Sequence, residues 1–521
     1  MERSPGLLFN KWITTIASIW IQCGGGSSYT FGIYSSVLKS TQGYDQSTLD
    51  VVSVFKDIGA NVGVLSGVLY SNNRYGPWVV HLAGAIQCFA GYFLMWTSVV
   101  GLIKPPPLPL MCVFMLLAAH AQTFFNTANV VTGVRNFTDY GGTIVGIMKG
   151  FLGLSGAILI QVYATLCEGN PSTFILILAF LPTILSLSLM CLVRIHETNT
   201  VDDKKYLNGL STFSLIIAGY LMIIIILDNV FTLPLLVRTV TFVLLLLLLS
   251  LPLVIAVKAQ KDYAMRFQQE FSIETTPLLN KTGHPTATFG DERVPLNEDE
   301  MNLWQAVCTG NFWLLFVSML CGMGSGLATI NNMSQIGESL HYTTTEINSL
   351  ISLWSIWNFL GRFGAGYVSD VFLHKKGCAR PLFIAITLAT MTVGHIVIAS
   401  GFSKNLYIGS VVVGICYGSQ WSLMPTITSE IFGVRNMGTI FNTIAIASPI
   451  GSYIFSVRVI GYIYDKVATG EHDSCFGTHC FMVSFLIMAS VAFFGCLVAL
   501  ALFFRTRRFY ERIVQRRLRR M

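Results

Sequence analysis

Fourteen long apolar stretches set the first constraint on this chain, because about 20 mainly apolar residues are enough to cross a bilayer as a helix. Three of the stretches, at residues 78–103, 171–193 and 481–504, contain no Asp, Glu, Lys or Arg. Only 11% of all residues are charged, against about 25% in soluble domains. The sequence therefore predicts an all-α polytopic membrane protein. An outer-membrane barrel is excluded, because its alternating strands are about half as long.

The spans are predicted as helices that satisfy their own backbone hydrogen bonds in lipid. They cover residues 12–38, 49–70, 78–103, 110–134, 142–165, 172–194, 210–229, 236–258, 311–336, 345–369, 381–403, 405–430, 437–462 and 481–504. With the N-terminus in the cytosol, alternation places most of the 33 Lys and Arg residues on the cytosolic side. An even number of spans puts the C-terminus there too. No cleavable signal peptide is expected in residues 1–11.

The charged C-terminal tail fits this topology. Residues 505–521 carry eight arginines, which we interpret as a stop-transfer segment that contacts lipid headgroups. The net charge of +7 is then explained by membrane topology, and a nucleic-acid partner is not expected.

The sequence GVRN occurs twice, at 133–136 and at 433–436, each time at the end of an even-numbered span. Spans 1–6 and 9–14 therefore read as two copies of a six-helix unit, an architecture of transporters that bind substrate between the halves. The predicted divisions are an N-terminal six-helix half at 1–209, an inserted transmembrane hairpin at 210–258, a cytosolic, disordered linker at 259–310, a C-terminal six-helix half at 311–504 and a basic cytosolic tail at 505–521.

A gating motif is predicted near the end of span 10. Residues 361–370, GRFGAGYVSD, resemble the loop motif of the major facilitator superfamily. Asp370 could cap a neighbouring helix and pair with a basic group, and so hold one face closed. The corresponding segment 67–76 lacks the aspartate, while Gly59, Gly63 and Gly67 indicate close helix packing. Arg362 is the basic residue within this motif and is a gating candidate with Asp370. The other gating candidates, predicted to form ion pairs at the cytosolic ends, are Arg135, Glu430 and Arg435.

Longer strings carry a family resemblance. Residues 11–63, 146–155 and 453–465 resemble the plant nodulin-like branch of the major facilitator superfamily, which includes nuclear-fusion-defective-like proteins. The resemblance covers nearly the whole chain with the inserted hairpin, and it implies the major facilitator fold. The branch is similar only distantly to monocarboxylate and oxalate–formate carriers, which is too distant to indicate a substrate.

Polar residues inside spans are costly, so each is a candidate for substrate binding or coupling. Lys149 is the leading candidate, because nearby glycines leave room beside it for an anion. The alternatives are a lysine that reaches the headgroups or an ion pair with Asp57. Lys56 and Asp57 are adjacent, so we expect each to pair with a different helix, or one of them to lie near the outer interface. The remaining candidates are Gln22, Tyr29, Asn61, Gln122, Asn126, Asn129, Asn358 and Trp421.

Two short motifs lie outside the spans. Cys475 and Cys480 lie in a non-cytosolic loop, where they could form a disulfide or stay free. A metal site with the neighbouring histidines is not expected, because the spacing matches no zinc pattern. Glu274, Leu278 and Leu279 fit an acidic dileucine signal for a clathrin-type adaptor, or a chance match in a polar segment. The sorting interpretation favours the vacuole or another endomembrane, with the plasma membrane as the alternative.

The sequence thus predicts a secondary active transporter of a small solute, with an organic anion as the leading substrate and protons as the candidate coupling ion. No Gly-x-x-x-x-Gly-Lys-Ser/Thr loop is present, which argues against an ATP-driven pump. No cofactor is expected. A transport-inactive receptor or scaffold is the alternative. An enzyme is least supported, because no nucleophile, base and orienting group occur together.

Overall fold

The computed structural model describes residues 10–72, 76–167, 169–196, 203–231, 233–274, 300–402, 404–467 and 475–518. Every regular element within these ranges is a helix, as predicted. By length and composition, eleven helical segments of the described chain could cross a membrane. The protein is therefore an integral membrane protein built from helices.

The first group of helices begins at capping residues that the sequence supplies. The Asn10 side chain accepts hydrogen bonds from the Trp12 and Ile13 N–H groups, and Asp45 accepts one from Thr48. The helices are α1 (Lys11–Gly25), α2 (Phe31–Gln42), α3 (Gln46–Asn61), α4 (Val64–Ser71), α5 (Pro77–Val99), α6 (Leu108–Asn136), α7 (Gly141–Leu166) and α8 (Pro171–Leu189). Predicted spans 1 and 2 are each broken near a glycine, at Gly26 and Gly63.

The inserted hairpin contains α9 (Asp203–Val230), α10 (Leu235–Ser250) and α11 (Pro252–Glu274). Lys11 Nζ pairs with Asp203 Oδ2 at 2.7 Å, which ties α9 to α1. The interpretation of 259–310 as a disordered linker is wrong for 259–274, because good helix formers continue α11 to Glu274. It is also wrong for the short α12 (Leu303–Val307), which has a capping box. Residues 275–299 lie outside the described ranges.

The second group of helices contains the longest elements. They are α13 (Gly310–Asn331), α14 (Met333–Ser339), α15 (Thr344–Lys376), α16 (Pro381–Ala399), α17 (Asn405–Phe432), α18 (Met437–Ala445), α19 (Ala447–Ser452), α20 (Tyr462–Val467) and α21 (His479–Leu518). A π-helical stretch, Tyr453–Gly461, joins α19 to α20. The helix α21 continues well past residue 504, the predicted end of span 14.

The predicted count of fourteen spans is not confirmed. Spans 12–38, 345–369 and 405–430 lie on helices that are not among the eleven candidates. Span 12–38 is divided at Gly26, so α1 has only 15 residues and is too short. The helices α15 and α17 are long enough, but they carry buried polar residues such as Arg362 and Gln420, which lower their hydropathy. Helices enclosed by others can tolerate such residues, because lipid does not touch that face.

Corresponding helices make the same contacts in both groups. The helix α5 packs against α6 and α8, as α16 packs against α17 and α21; α3 meets α6 as α15 meets α17. Between the groups, α7 packs against α15 and α4 packs against α18. This recurrence supports the two six-helix units, although the repeat itself stays a prediction.

Candidate functional site

Arg362 lies at the centre of the bundle, where helices of both groups meet. Its Nε donates to Asn358 Oδ1 at 2.9 Å, its Nη1 to the Lys149 carbonyl at 2.9 Å and its Nη2 to the Tyr29 hydroxyl at 3.1 Å. Arg362 lies well inside its helix, although its motif is predicted at the cytosolic end of the span. The helix α15 continues to Lys376, about 21 Å farther along the axis at 1.5 Å per residue.

Lys149 is the second buried cation of this central site. The residue is only 1% exposed, and its Nζ lies 5.0 Å from the Trp421 ring centroid and 5.2 Å from that of Phe441. The Arg362 guanidinium carbon lies 5.8 Å from the same Trp421 ring. Within the described part of the chain, no carboxylate forms an ion pair with either cation. The rings supply cation–π attraction but no negative charge.

Several polar atoms on the helices that carry the predicted binding residues are buried without a hydrogen-bond partner among the described residues. They are the Trp421 indole Nε1, which lies beside both cations, the Gln22 Oε1, both side-chain polar atoms of Asn129, and the Gln420 Oε1, whose side chain instead faces Gly322 and Met391. Both cations lie over the Trp421 ring, and its indole N–H, although Tyr417 packs against the ring, has no acceptor in hydrogen-bonding geometry among the described residues. Buried polar groups normally have partners, so this N–H is available to a polar ligand.

Other predicted binding residues surround this centre. Gln22 Nε2 donates to Asn126 Oδ1 at 3.4 Å, and Gln122 Oε1 accepts from Ser28 at 2.5 Å. Asn61 instead donates to the Asp57 carbonyl, one turn back in its own helix. The structure therefore brings together Gln22, Gln122 and Asn126 on one side of the site, and it leaves Asn61 in a local contact.

The expectation that Lys56 and Asp57 pair with different helices is wrong. Lys56 Nζ lies 3.1 Å from Asp57 Oδ1 and 5.1 Å from the Phe31 ring centroid. The long, flexible lysine stem lets its ammonium group fold back to a neighbouring carboxylate, although the two Cβ atoms point apart. Asp57 is thus paired with Lys56 and not with Lys149.

Asp370 joins the two groups of helices at one end of the bundle. It accepts hydrogen bonds from the Gly142 and Thr143 N–H groups at 3.2 and 2.5 Å, and from the Thr143 hydroxyl at 2.6 Å. These donors form the N-terminus of α7, where a negative charge is favourable. Arg380 Nη2 pairs with Asp370 Oδ1 at 2.5 Å. We call the end of the bundle that holds this network the latch end.

Glu430 binds Arg380, so the predicted ion pairs of Glu430 with Arg135 and Arg435 are wrong. Arg380 Nε donates to both Glu430 carboxylate oxygens, at 2.8 and 2.9 Å, because a guanidinium can bridge two carboxylates. Burial acts to lower the pKa of Arg380, but Glu430 and Asp370 outweigh burial and raise it above its ordinary value. Sequence reasoning missed Arg380, since an arginine just before a helix-starting proline looks like a topology signal.

A second contact at the latch end contains no charge. A Cβ atom on Gly67 of α4 would lie 2.5 Å from the Gly438 carbonyl carbon and closer still to the Thr439 backbone of α18. Beside this contact, Asn442 Nδ2 donates to the Thr127 hydroxyl at 2.8 Å, and Ser66 and Thr127 share a hydrogen bond of 2.7 Å. Close backbone approach therefore takes the place of the aspartate that segment 67–76 lacks.

The latch end and the central site differ in exposure. The Asp370 network lies at the start of α7, and the Gly67 contact lies beside Thr127 and Val131 in the last part of α6. Tyr29, which covers Arg362 from the short helix Ser27–Thr30, is 43% exposed. Arg362 and Lys149, each 1% exposed, lie behind it.

The remaining predicted residues lie away from the centre. A disulfide joins Cys475 to Cys480, and His479 Nε2 lies 3.9 Å from Cys475 Sγ. These three residues form a close group, but the disulfide leaves no thiolate for a metal. Of the sorting signal, Glu274 ends α11, and Leu278 and Leu279 lie outside the described residues.

This arrangement of helices is a known membrane fold. The structure is similar to that of the proton:xylose symporter XylE, with a TM-score of 0.53, 12% identity and 95% coverage of both chains. It is also similar to the human organic anion transporter MFSD10 (TETRAN), with a TM-score of 0.54, 10% identity and coverage of 94% of this chain and 99% of that one. The chain therefore has the major facilitator fold.

The family follows from the sequence. Residues 11–257 match the Nodulin-like family, and residues 299–512 match the NFD4 C-terminal domain. The chain belongs to the Nodulin-like family. It is 26% identical to Protein NUCLEAR FUSION DEFECTIVE 4 of Arabidopsis thaliana, over 97% of this chain and 90% of that protein. It is 24% identical to the probable transporter MCH1 of Saccharomyces cerevisiae, over 41% of this chain and 43% of that protein.

Proposed function

We propose that this protein is a secondary active transporter that moves a small organic anion by alternating access. The observation that carries the proposal is the central pair of buried cations, Lys149 and Arg362, which have no carboxylate partner within the described residues. One cation comes from each group of helices. An anion bound between them would therefore contact both groups at once.

The energetics of burial support an anionic substrate. Removing charges from water costs several kcal/mol each even after relaxation, and aromatic rings return only about 2 kcal/mol per cation. A carboxylate would supply the missing negative charge and accept a hydrogen bond from the unpaired Trp421 indole N–H. This argument rests on residues of this chain, since similarity in fold below 25% identity does not indicate a substrate.

Alternating access is supported by the asymmetry of the bundle. The latch end is closed by the Asp370 network and by the Gly67 contact, while Tyr29 is exposed on the other side. The related MCH1 protein is named a probable transporter, which agrees with a transport role. For proton coupling, the Lys56–Asp57 pair and Glu430 are the candidate groups, because both carboxylates are partly exposed and lie between moving helices.

The proposal also covers the membrane in which the protein works and the partner that directs it there. The dileucine motif favours a vacuolar or other endomembrane destination, reached through a clathrin-type adaptor, with both termini in the cytosol and the basic tail against lipid headgroups. A transport-inactive receptor or scaffold is the second candidate. Its only specific support is the aspartate missing from segment 67–76, where the structure has a close helix contact instead.

The test is uptake of labelled organic anions into proteoliposomes under an imposed pH gradient. We would compare the wild type with Lys149→Ala and Arg362→Gln, and use Lys104→Ala as the control because Lys104 is an exposed loop lysine. We expect gradient-driven uptake that both central variants lose and the control keeps. Uptake that survives both central substitutions would reject the site. An absence of uptake for every anion in the wild type would favour the receptor.

A further inference from the structure

The last helix of the chain reaches beyond the bundle and packs against the latch end. The helix α21 runs from His479 to Leu518. Its final part lies on the segment that joins α15 to α16, where Tyr510 packs against Leu373 and Ala379. All three residues are at least 98% buried. The outer face of this extension is exposed and charged, as in the pair formed by Arg507 and Glu511.

A continuous chain of polar contacts leads from this extension to the contact between the two groups of helices. The Tyr510 hydroxyl donates to Glu430 Oε2 at 2.8 Å. Glu430 accepts two hydrogen bonds from Arg380 Nε, and Arg380 pairs with Asp370. Asp370 in turn caps α7 in the other group. Three side chains therefore separate Tyr510 from α7.

We infer that the C-terminal extension of α21 is part of the gate, and that Tyr510 is the positioning residue that keeps Glu430 on Arg380 and thereby keeps the latch end closed. This inference rests on the proposed alternating access, but not on the identity of the substrate. Tyr510 does not contact the central site and would act through Glu430 alone.

The geometry of Glu430 explains why a tyrosine is needed. The Glu430 side chain is 16% exposed, whereas that of Arg380 is 1% exposed, so water competes for the carboxylate but not for the guanidinium. A hydrogen bond from a buried hydroxyl fixes one carboxylate oxygen and favours the orientation in which Glu430 faces Arg380. Without it, the carboxylate can turn to water and leave Arg380 with one negative partner, Asp370, instead of two.

The test measures the opening of the latch end directly. Spin labels on Asn72→Cys and Lys376→Cys, both exposed and one in each group, would report the distance between the groups in proteoliposomes. The accessible native cysteines Cys191, Cys308 and Cys378 would first be replaced by serine. The test variant is Tyr510→Phe, which keeps the packed ring. The control is Glu511→Gln, which changes the exposed face of the same helix.

We expect Tyr510→Phe to raise the ratio of open to closed latch ends about tenfold. This factor corresponds to the lower end of the stabilisation that a hydrogen bond to a charged group provides. The control Glu511→Gln should leave the ratio unchanged. Glu430→Gln should open the latch as well, and the double variant Tyr510→Phe/Glu430→Gln should open it no further than Glu430→Gln alone. An unchanged distance in Tyr510→Phe, or additive effects in the double variant, would overturn the inference.

The outcome is separable from the proposed function. The distance is measured without substrate, so failure to find a transported anion does not alter it. If Asp370→Asn and Glu430→Gln also leave the distance unchanged, the latch end does not open, and alternating access fails together with this inference. If they open the latch and Tyr510→Phe does not, only the role of the extension is rejected.

Discussion

The uncharged contact at the latch end makes a specific prediction about glycine. In Gly67→Ala, the new methyl group would lie 2.5 Å from the Gly438 carbonyl carbon and closer still to the Thr439 Cα and N atoms. All three are backbone atoms, so no side chain can rotate away. Ordinary contacts need about 1 Å more, and α4 must therefore separate from α18 before the latch end can close.

The size of the effect follows from the cost of overpacking. Forcing a methyl group into a filled contact costs about 1–3 kcal/mol. Alternating access, as proposed above, separates the two helices in the open state, so this cost falls on the closed state alone. The ratio of open to closed latch ends should rise by about 5-fold to 150-fold, and fold stability measured with the latch open should change little.

The assay is the distance between labels on Asn72→Cys and Lys376→Cys in proteoliposomes. The matched control is Gly364→Ala, because that glycine lies on α15 and a Cβ atom added to it would meet no described atom within 4 Å. We expect a longer distance in Gly67→Ala and the wild-type distance in Gly364→Ala. A wild-type distance in both variants would refute the claim that close backbone approach closes this end.

Three further substitutions test other contacts. Asp370→Asn removes the negative charge that pairs with Arg380 and faces the N-terminus of α7; because losing one partner of a buried ion pair costs about 3–5 kcal/mol, we expect the latch to open more than in Gly67→Ala, and an unchanged spin-label distance would contradict this. Trp421→Phe keeps the aromatic ring but removes the indole N–H, so the KM of anion uptake should rise about tenfold with little change in kcat, measured in proteoliposomes; an unchanged KM would exclude the N–H as a ligand. Hydrogen bonds from the Thr48 hydroxyl and N–H lower the pKa of Asp45, so its cap stabilises the fold fully above the ordinary aspartate pKa and loses this effect as the pH falls through the lowered value. Asp45→Ala should therefore have a lower Tm than the wild type at neutral pH, and the two Tm values should converge in acid; a difference that persists in acid would show that Asp45 acts through something other than its charge.

The spans could be predicted because their signal is local. From length and the absence of charge alone, the predicted ends of α5, α8 and most other membrane helices lie within a few residues of the observed ends. Of the three spans that are not among the candidates, 12–38 is interrupted at Gly26, and 345–369 and 405–430 carry Arg362 and Gln420 on buried faces. Their polarity is a property of the central site, and sequence alone does not tell a lipid-facing position from an enclosed one.

The contacts between helices were harder to predict, since they depend on how each helix is rotated and where it ends. Lys149 could be identified as a buried cation from its flanking glycines. Arg362 was assigned to the gate because its motif ends at Asp370, although two more helical turns separate them. Arg380 carried no local signal at all. Its role depends on carboxylates that lie 10 and 50 positions away.

The two closures at the latch end differ in physical kind, and this difference has a consequence for regulation. One is an ion-pair network that gains solvation when it opens, so ionic strength and surface potential act on it. The other is a contact of backbone with backbone, which salt does not reach and which depends on dispersion forces between close-packed atoms. A change in ionic strength could therefore weaken the ion-pair network without weakening the backbone contact. A mutation could likewise slow the movement at one of the two contacts while the movement at the other keeps its rate.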